Sequence, residues 1–150
     1  MIHFVKGNLL KSEARALVNT VNTVGVMGKG GALSFKNMFP MNYRVYQDAC
    51  KNGKLDIGQL LVVSENDLIR GEKIIINFPT KQHWKNPSTY EFIGSGLTAL
   101  REFLTLNPVE SLAMPALGCG NGGLDWEVVR PMISEYLAGV DTDIFVYTPL

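Results

Sequence analysis

An apolar segment that runs directly into a glycine-rich loop decides the fold of this chain: residues 16–31 read ALVNTVNTVGVMGKGG. Ala16–Asn19 is apolar and then abruptly polar, which predicts a buried strand that ends at Asn19. Gly25–Gly31 follows as a loop and opens into a predicted helix over Ala32–Met38. Glycine lets backbone N–H groups approach an anion closely, and the N-terminus of the next helix favours negative charge. This unit is typical of α/β proteins and is a candidate anion site.

The alternation of strands and helices continues to both ends of the chain. The other predicted strands cover 2–6, 60–63, 73–78, 111–115 and 143–147. Three further helices are predicted: one from Pro40 to a stop at Gly53, one from a capping box at Ser88–Glu91 to about Leu106, and one from Asp125 to a stop at Gly139. This order predicts an α/β fold with a mixed, mostly parallel sheet between helix layers. Because no linker or repeat divides the 150 residues, we expect one domain over 1–150.

Composition is that of an ordinary globular protein. Hydrophobic residues make up 46% and charged residues 19%, which excludes a disordered chain. No apolar run approaches the length of a membrane span, and the N-terminus does not resemble a signal peptide, so no membrane partner is expected. Cys50 and Cys119 lie far apart, which is typical of reduced thiols in a cytoplasmic protein. With two histidines and no paired-cysteine motif, the sequence predicts no metal site.

The charges cancel overall but are unevenly distributed along the chain. Fourteen Lys and Arg residues balance fourteen Asp and Glu residues, which argues against binding of nucleic acid by bulk charge alone. Residues 1–60 nevertheless contain eight basic and three acidic residues, whereas residues 109–150 contain one and six. A basic N-terminal half that faces a phosphate-bearing ligand and an ordinary solvated surface both fit this distribution.

Three strand ends have unusual sequences: Asn19–Gly31, Asn77–Pro87 and Ala116–Leu124. Ligands bind at the carboxyl ends of strands in such sheets. The first and third ends are glycine-rich, and two such loops predict a clamp for a diphosphate, although each alone also fits a tight turn. Gly118–Gly123 matches the dinucleotide fingerprint only weakly, since it lies too late in the chain for a Rossmann sheet. Gly25–Gly31 lacks the Gly-Lys-Ser/Thr end of a P-loop.

The second strand end combines cations with an aromatic residue. Lys81, His83, Trp84 and Lys85 follow within a few residues of the predicted strand. An aromatic ring between cations is typical of binding to single-stranded nucleic acid, by base stacking and phosphate neutralisation. Lys81 and His83 are also candidates for a nucleophile or a general acid or base. The alternative is an ordinary surface loop in which Trp84 packs against the core.

These features together resemble the macrodomain family, an α/β/α fold that binds ADP-ribose. Residues 17–22 and the glycine loop after them are similar to its Val-Asn-Ala-Ala-Asn signature, and residues 115–120 to its second phosphate-loop signature. More narrowly, residues 19–30, 77–84 and 117–126 resemble the DarG type. These are antitoxin macrodomains of bacterial toxin–antitoxin pairs, which remove ADP-ribose from thymidine bases of single-stranded DNA. Because three separate motifs occur in order, the resemblance is specific and covers essentially the whole chain.

The resemblance implies a three-layer α/β/α macrodomain with a role for each matched position. Lys81 would be the catalytic lysine, Asn22 would contact the distal ribose and assist the reaction, and His83 is a further catalytic candidate. Trp84 and Lys85 would contact DNA. ADP-ribose is then expected to lie against Asn8, Leu9, Asn19, Asn22, Gly28, Lys29, Gly30, Gly31, Ala32, Leu117, Gly118, Cys119, Gly120, Asn121 and Gly122.

Two positions depart from the patterns of the family. Many macrodomains have Gly-Asp after the first strand, where the aspartate binds the adenine amino group, whereas this chain has Gly7-Asn8. Asn8 can still accept a hydrogen bond from that amine, but without the charge. Terminal ADP-ribose glycohydrolases pair their lysine with an aspartate in the second glycine loop. Gly122 occupies that place here, and Asp125 fits a helix cap instead, so no lysine–aspartate dyad is expected.

The expected function is that of a DNA ADP-ribosyl glycohydrolase that needs no metal and consumes no cofactor. Its partners would be ADP-ribose, ADP-ribosylated single-stranded DNA and a cognate DNA ADP-ribosyltransferase toxin. A non-catalytic ADP-ribose-binding module and a phosphatase of ADP-ribose 1″-phosphate are the alternatives. The last predicted strand ends just before residue 150, which also fits a macrodomain at the N-terminal part of a longer antitoxin.

Overall fold

Six strands form one mixed sheet in the computed structural model, which describes residues 1–149. The strands are β1 (Ile2–Val5), β2 (Ala16–Val21), β3 (Leu61–Asp67), β4 (Gly71–Pro79), β5 (Ser111–Pro115) and β6 (Asp143–Tyr147). The helices are α1 (Gly30–Met38), α2 (Pro40–Lys51), α3 (Tyr90–Leu106) and α4 (Trp126–Tyr136), with a short 3-10 helix at Leu9–Lys11. The order across the sheet is β1–β6–β5–β2–β4–β3, and β3 runs antiparallel to β4 while the other neighbouring pairs are parallel.

Helices cover both faces of the sheet. On one face Val18 of β2 belongs to an apolar core that includes residues of α3 and α4, and on the other Leu17 packs with Phe35 of α1. The apolar run Ile74–Ile76 needs no polar face because β4 is covered on both sides. The predicted α/β/α sandwich is therefore confirmed. Within the described residues, no helix has both the length and the apolar character needed to cross a membrane.

The central strand β2 parts from β5 before it reaches the edge where the parallel strands end. All six residues of β2 are paired with β4, but only Ala16 and Leu17 are paired with β5. Beyond Leu17 and its partner Ala113 a crevice opens between the carboxyl ends of the two strands. In open α/β sheets this is the place where ligands bind, so the fold itself selects the loops after β2, β4 and β5.

Several boundaries differ from the sequence predictions. β3 extends to Asp67 and β4 begins at Gly71, because these two strands pair with each other over the added residues. Three further differences lie near the glycine loops. β2 continues past Asn19 to Val21, since β4 supplies pairing partners for both additional residues. α1 begins two residues early, at Gly30, so its first turn lies inside the glycine-rich segment. The cap of α3 is Thr89, whose side chain accepts from Phe92 N, and the predicted cap Ser88 is wrong by one position. Ser88 is buried, and its backbone N–H donates to Gly122 O at 3.0 Å.

The packing of α3 on the sheet predicts a strong effect at Gly96. A Cβ on this residue would lie 2.2 Å from Cζ of the fully buried Phe78 ring. Gly96→Ala should therefore lower the free energy of unfolding by roughly 2 kcal/mol or more, because the core has no room for the added methyl group. Ser95→Ala, at an exposed position on the same helix, should change it by less than about 0.5 kcal/mol. Urea denaturation measures both, and equal stabilities would contradict this packing.

Candidate functional site

Three loops meet at the carboxyl ends of the parallel strands. We call them the first glycine loop (residues 22–29, after β2), the lysine loop (80–89, after β4) and the second glycine loop (116–125, after β5). The first two are joined by backbone hydrogen bonds from Thr80 N to Val21 O (2.9 Å) and from Thr23 N to Gln82 O (3.1 Å). The Thr23 hydroxyl also donates to Gln82 O at 3.0 Å. The lysine loop is therefore fixed against the first glycine loop at the residue next to Lys81.

Asn22 organises the first glycine loop. Its Oδ1 accepts from Val24 N (3.1 Å) and Val26 N (3.3 Å), and its Nδ2 donates to Val26 O (2.8 Å). The hydroxyl of buried Tyr46 lies 2.8 Å from both Asn22 O and Asn22 Oδ1, and burial raises the pKa of Tyr46 well above its usual value, so this hydroxyl stays a donor. The Asn22 side chain is 6% exposed. Nδ2 uses one of its two hydrogens in this network, so a contact of the Asn22 side chain with a ribose would be made by the second hydrogen.

The backbone N–H groups in the first turn of α1 are not capped by a side chain. Gly28, Lys29, Gly30 and Gly31 are exposed and Ala32 is half-buried. The N-cap residue Lys29 makes no side-chain capping bond, so the first N–H groups of the helix are available to a ligand. Gly30 has φ +56°, in the left-handed region that favours glycine. A helix N-terminus of this kind suits a phosphate oxygen.

The second glycine loop is folded back on itself. Leu124 N donates to Gly118 O at 2.9 Å, and Gly118 has φ +71°. Leu117 and Gly118 are buried, and Leu117 belongs to the apolar core, so its side chain does not face the cleft. Gly120 and Asn121 are exposed, and a Cβ on Gly120 would meet no atom within 4 Å. Of the predicted ligand contacts in this loop, Gly120 and Asn121 are the most open to the cleft.

Cys119 is half-buried in the second glycine loop and does not fit a nucleophile. Burial, with a smaller contribution from the charge of Asp125, raises the pKa of its thiol to about 11. The thiol is therefore protonated near neutral pH, and its Sγ lies 3.5 Å from Leu117 O. Its side chain packs against the core that includes α3 and α4. Only the backbone of Cys119 is therefore available for contact with a ligand.

Gly122 explains why this site has no lysine–aspartate dyad. A Cβ at this position would lie 2.4 Å from Gly118 O and 2.6 Å from Ser88 Oγ, so no side chain fits there. Asp125 caps α4 as expected, with its side chain accepting from Glu127 N at 2.9 Å. Among residues 1–149, no carboxylate lies within 4 Å of the Lys81 ammonium.

Lys81 lies where the two glycine loops approach each other. Its half-buried side chain donates from Nζ to Asn121 O at 3.2 Å, across the cleft from the lysine loop to the second glycine loop. A Cβ on Gly30 would lie 3.4 Å from Asn121 Nδ2, which brings the first turn of α1 to the same place. The Lys81 side chain thus contacts the second glycine loop at the residue that also approaches the first turn of α1.

Trp84 lies on the surface of the lysine loop. It is 45% exposed, so the alternative in which it packs against the core is wrong. The centroid of the Trp84 ring is 5.3 Å from that of the His83 ring, and Lys85 Nζ lies 5.2 Å from the Trp84 centroid. His83 Nδ1 accepts from Lys85 N at 3.1 Å, which leaves Nε2 as the nitrogen that carries the proton in neutral His83. The cluster presents an open aromatic face beside a cation.

Asn8 and Asn19 are engaged in the fold. Asn8 caps the short 3-10 helix, with Oδ1 accepting from Leu10 N at 3.0 Å, and half-buried Leu9 packs against the core that contains Phe35. Asn19 is 1% exposed and its Nδ2 donates to Asn77 Oδ1 at 3.2 Å. The Asn19 side chain therefore faces the interior, and a ligand contact from it remains a prediction that this arrangement does not favour.

Comparison with known proteins identifies the family. The Macro domain model matches residues 18–133. The chain belongs to the macrodomain family. A protein of Thermus aquaticus named DNA ADP-ribosyl glycohydrolase is 47% identical over the whole chain, which spans 42% of that relative's length. The macrodomain of Mycobacterium tuberculosis DarG is 46% identical, with a TM-score of 0.95 and coverage of 100% of this chain and 99% of that one. A Thermosipho africanus DarTG structure in complex with ADP-ribose is 39% identical, with a TM-score of 0.93, and the match covers 99% of this chain and 42% of that one.

Sequence reasoning missed several residues that shape the cleft of this macrodomain. Tyr46 braces Asn22, Thr23 binds the lysine loop, and Asn77 joins Asn19 to Asn42 through hydrogen bonds of 2.8–3.2 Å. The sequence did contain a signal for Asn77, because it is the polar residue within the otherwise apolar segment Ile74–Phe78, and a buried asparagine requires hydrogen-bond partners. Among the described residues, no group of three or more His, Cys, Asp or Glu is placed to hold a metal.

Two of the glycines in the second glycine loop, Gly120 and Gly122, predict opposite results when each is substituted. Gly120→Glu should fold with nearly unchanged stability, since its side chain points into open space, but should abolish binding of ADP-ribose by steric exclusion and like charge. Gly122→Ala should lower the melting temperature, because its Cβ would collide with Gly118 O. Calorimetric titration and thermal denaturation measure these effects. A folded Gly120→Glu protein with parental affinity would refute the assignment of this loop.

Proposed function

We propose that this macrodomain hydrolyses the bond between ADP-ribose and thymidine bases of single-stranded DNA, as antitoxin to a DNA ADP-ribosyltransferase toxin. The observation that supports it most is the contact of Lys81 Nζ with Asn121 O, at the point where the second glycine loop approaches the first turn of α1. The name of the Thermus aquaticus relative and the name of the Thermosipho africanus relative, a transferase–glycohydrolase fusion, support the activity and the partner. We further propose that the protein acts in the cytoplasm, without metal or consumed cofactor.

ADP-ribose would bind across the crevice between β2 and β5. The uncapped first turn of α1 and the exposed backbone of Gly120 and Asn121 offer N–H groups to the diphosphate from two sides. The distal ribose would then lie beside Lys81, where the lysine loop crosses the cleft. Asn8 and Leu9 lie at the same edge of the sheet, after β1, and would border the adenine. The Thermosipho africanus structure, described as a complex with ADP-ribose, supports the choice of this ligand.

In the proposed reaction the bond between the thymine nitrogen and the anomeric carbon of the distal ribose breaks. The carbon acquires oxocarbenium character, which the neighbouring diphosphate stabilises. The base leaves with the bonding electron pair and takes a proton, and water adds to the carbon and loses one, so free ADP-ribose and intact thymidine result. Lys81 would donate the proton and recover one after the water has added. Its Nζ already acts as a donor, to Asn121 O, and among the described residues no carboxylate lies within 4 Å of it to take over the role of general acid.

The cluster of His83, Trp84 and Lys85 would hold the DNA around the modified base. Trp84 offers an exposed ring on which a neighbouring base can stack, and Lys85 offers a charge to a phosphate. Recognition by stacking requires unpaired bases, which agrees with a single-stranded substrate. This cluster also separates the proposal from a general ADP-ribose reader, which needs no surface for a strand. A phosphatase of ADP-ribose 1″-phosphate likewise has no use for it.

Lys81 should be required for turnover but not for binding. Lys81→Ala and Lys81→Arg should both lose nearly all activity, since arginine keeps the charge but does not readily give up a proton. Both should bind ADP-ribose within about tenfold of the parent. Release of free ADP-ribose from an ADP-ribosylated oligonucleotide measures turnover, and calorimetry measures binding. An active Lys81→Arg enzyme would exclude the catalytic assignment and direct attention to His83 and Asn22.

Substrate preference should depend on Trp84. ADP-ribosylated single-stranded DNA should be hydrolysed faster than a peptide with ADP-ribose on glutamate, and Trp84→Ala should weaken oligonucleotide binding by roughly 1–3 kcal/mol. The same variant should keep parental affinity for free ADP-ribose, because Trp84 stands at the surface outside the glycine loops. Equal turnover of peptide and DNA by the parent would favour a general hydrolase. Phosphate release from ADP-ribose 1″-phosphate would support the phosphatase instead.

A further inference from the structure

The two helical layers carry charges of opposite sign. Residues 22–58, which include α1 and α2, contain five Lys or Arg residues and two Asp residues. Residues 88–142, which include α3 and α4, contain two Arg residues and seven Asp or Glu residues. The charge imbalance along the sequence is therefore an imbalance between the two faces of the sandwich, and the cleft lies between them. The proposed function makes no use of this difference.

The cations of the α1–α2 layer are available to an external anion, apart from Lys36, whose Nζ lies 4.6 Å from the centroid of the Tyr43 ring. Within residues 1–149 none of them lies within 4 Å of a carboxylate, and Arg44, Lys51 and Lys54 are exposed. The two arginines of the opposite layer have partners inside the fold. Arg101 donates to two carbonyl oxygens at the C-terminal end of α4, those of Tyr136 and Ala138, and the Arg130 guanidinium lies 4.2 Å from the centroid of the Phe4 ring. Available positive charge thus lies on one face.

This face is continuous with the cleft. Lys51 ends α2 and Lys54 follows it, and this end of the helix packs on the first glycine loop, where a Cβ on Gly25 would lie 3.4 Å from Cys50 Cβ. The first glycine loop is in turn hydrogen bonded to the lysine loop, which carries Trp84. A single strand of DNA that leaves the cleft on this side meets the end of α2. On the other side it meets the acidic N-terminal turn of α4.

We infer that the single-stranded DNA next to the modified nucleotide crosses the first glycine loop and lies along the C-terminal half of α2. This inference rests on the proposed function. Lys51 and Lys54 hold two of its phosphates, with Arg44 further along the helix. Lysine contacts to phosphate are independent of base sequence, and the carboxylates of the α3–α4 layer repel the strand from the other face. Charge therefore sets the direction in which the strand leaves the cleft.

The test compares two double variants with the same change in charge. K51Q/K54Q removes the proposed contacts, and K6Q/K11Q removes two exposed lysines around the short 3-10 helix, near the β1 edge of the sheet. Fluorescence anisotropy measures binding of an unmodified single strand of about 15 nucleotides at salt concentrations from about 50 to 200 mM. K51Q/K54Q should bind roughly tenfold more weakly at the lowest salt, and its slope of log K against log salt should be shallower by about 1.4, or 0.7 per phosphate. K6Q/K11Q should match the parent.

Measurements with ligands that have no flanking DNA distinguish a failure of this inference from a failure of the proposed function. Both variants should keep parental affinity for free ADP-ribose and parental turnover of ADP-ribosylated thymidine mononucleotide, which has no flanking strand. An unchanged salt slope in K51Q/K54Q, or a loss confined to K6Q/K11Q, would overturn the inferred path. If the parent does not hydrolyse the mononucleotide or the oligonucleotide, the proposed function fails, while the anisotropy result still decides the path.

Discussion

β2 stays paired with β4 to its last residue but leaves β5 after Leu17, and this parting determines where every other part of the site lies. It opens the sheet at the edge where five parallel strands end, so the loops after β2, β4 and β5 surround one crevice. Two of these loops are rich in glycine, so their backbone can approach a ligand closely. The third is fixed beside the first by the hydrogen bonds of Thr23 and Thr80, which gives Lys81 a defined position.

Most of the fold could be predicted because its elements have strong local signals. The run Lys73–Phe78 fits a strand buried on both faces, and Asp125 before an amphipathic segment fits a helix cap. The end points that were missed depend on partners distant in sequence. β2 extends to Val21 only because β4 lies beside it, and Ser88 has the spacing of a capping residue but is held under the second glycine loop. Local pattern contains no information about either contact.

The location of the site could be predicted from the sequence, whereas the hydrogen-bonding roles of its asparagines could not. Asn19 and Asn22 have a residue type that suits both ligand recognition and hydrogen bonding within the fold. The structure uses both within the fold, through Asn77, 58 residues from Asn19, and Tyr46, 24 residues from Asn22. Only the three-dimensional arrangement shows these pairs. Composition likewise could not predict the exposure of Trp84, because the same residues fit a loop with an exposed ring and a loop whose ring packs against the core.

Because these asparagines are engaged in the fold, the proposed function assigns recognition of a phosphate to backbone amides and the chemistry to one side chain, Lys81. Backbone N–H groups bind an anion whatever their side chains are, so the glycine loops require small residues rather than particular functional groups. Lys81 has no such substitute, since Gly122 leaves no room for a carboxylate beside it. An aspartate introduced at position 122 would not create a dyad, because its Cβ would first collide with Gly118 O. The shape of the second glycine loop therefore excludes a carboxylate at position 122 as a partner of Lys81, and in the proposed reaction the lysine acts as a donor without one.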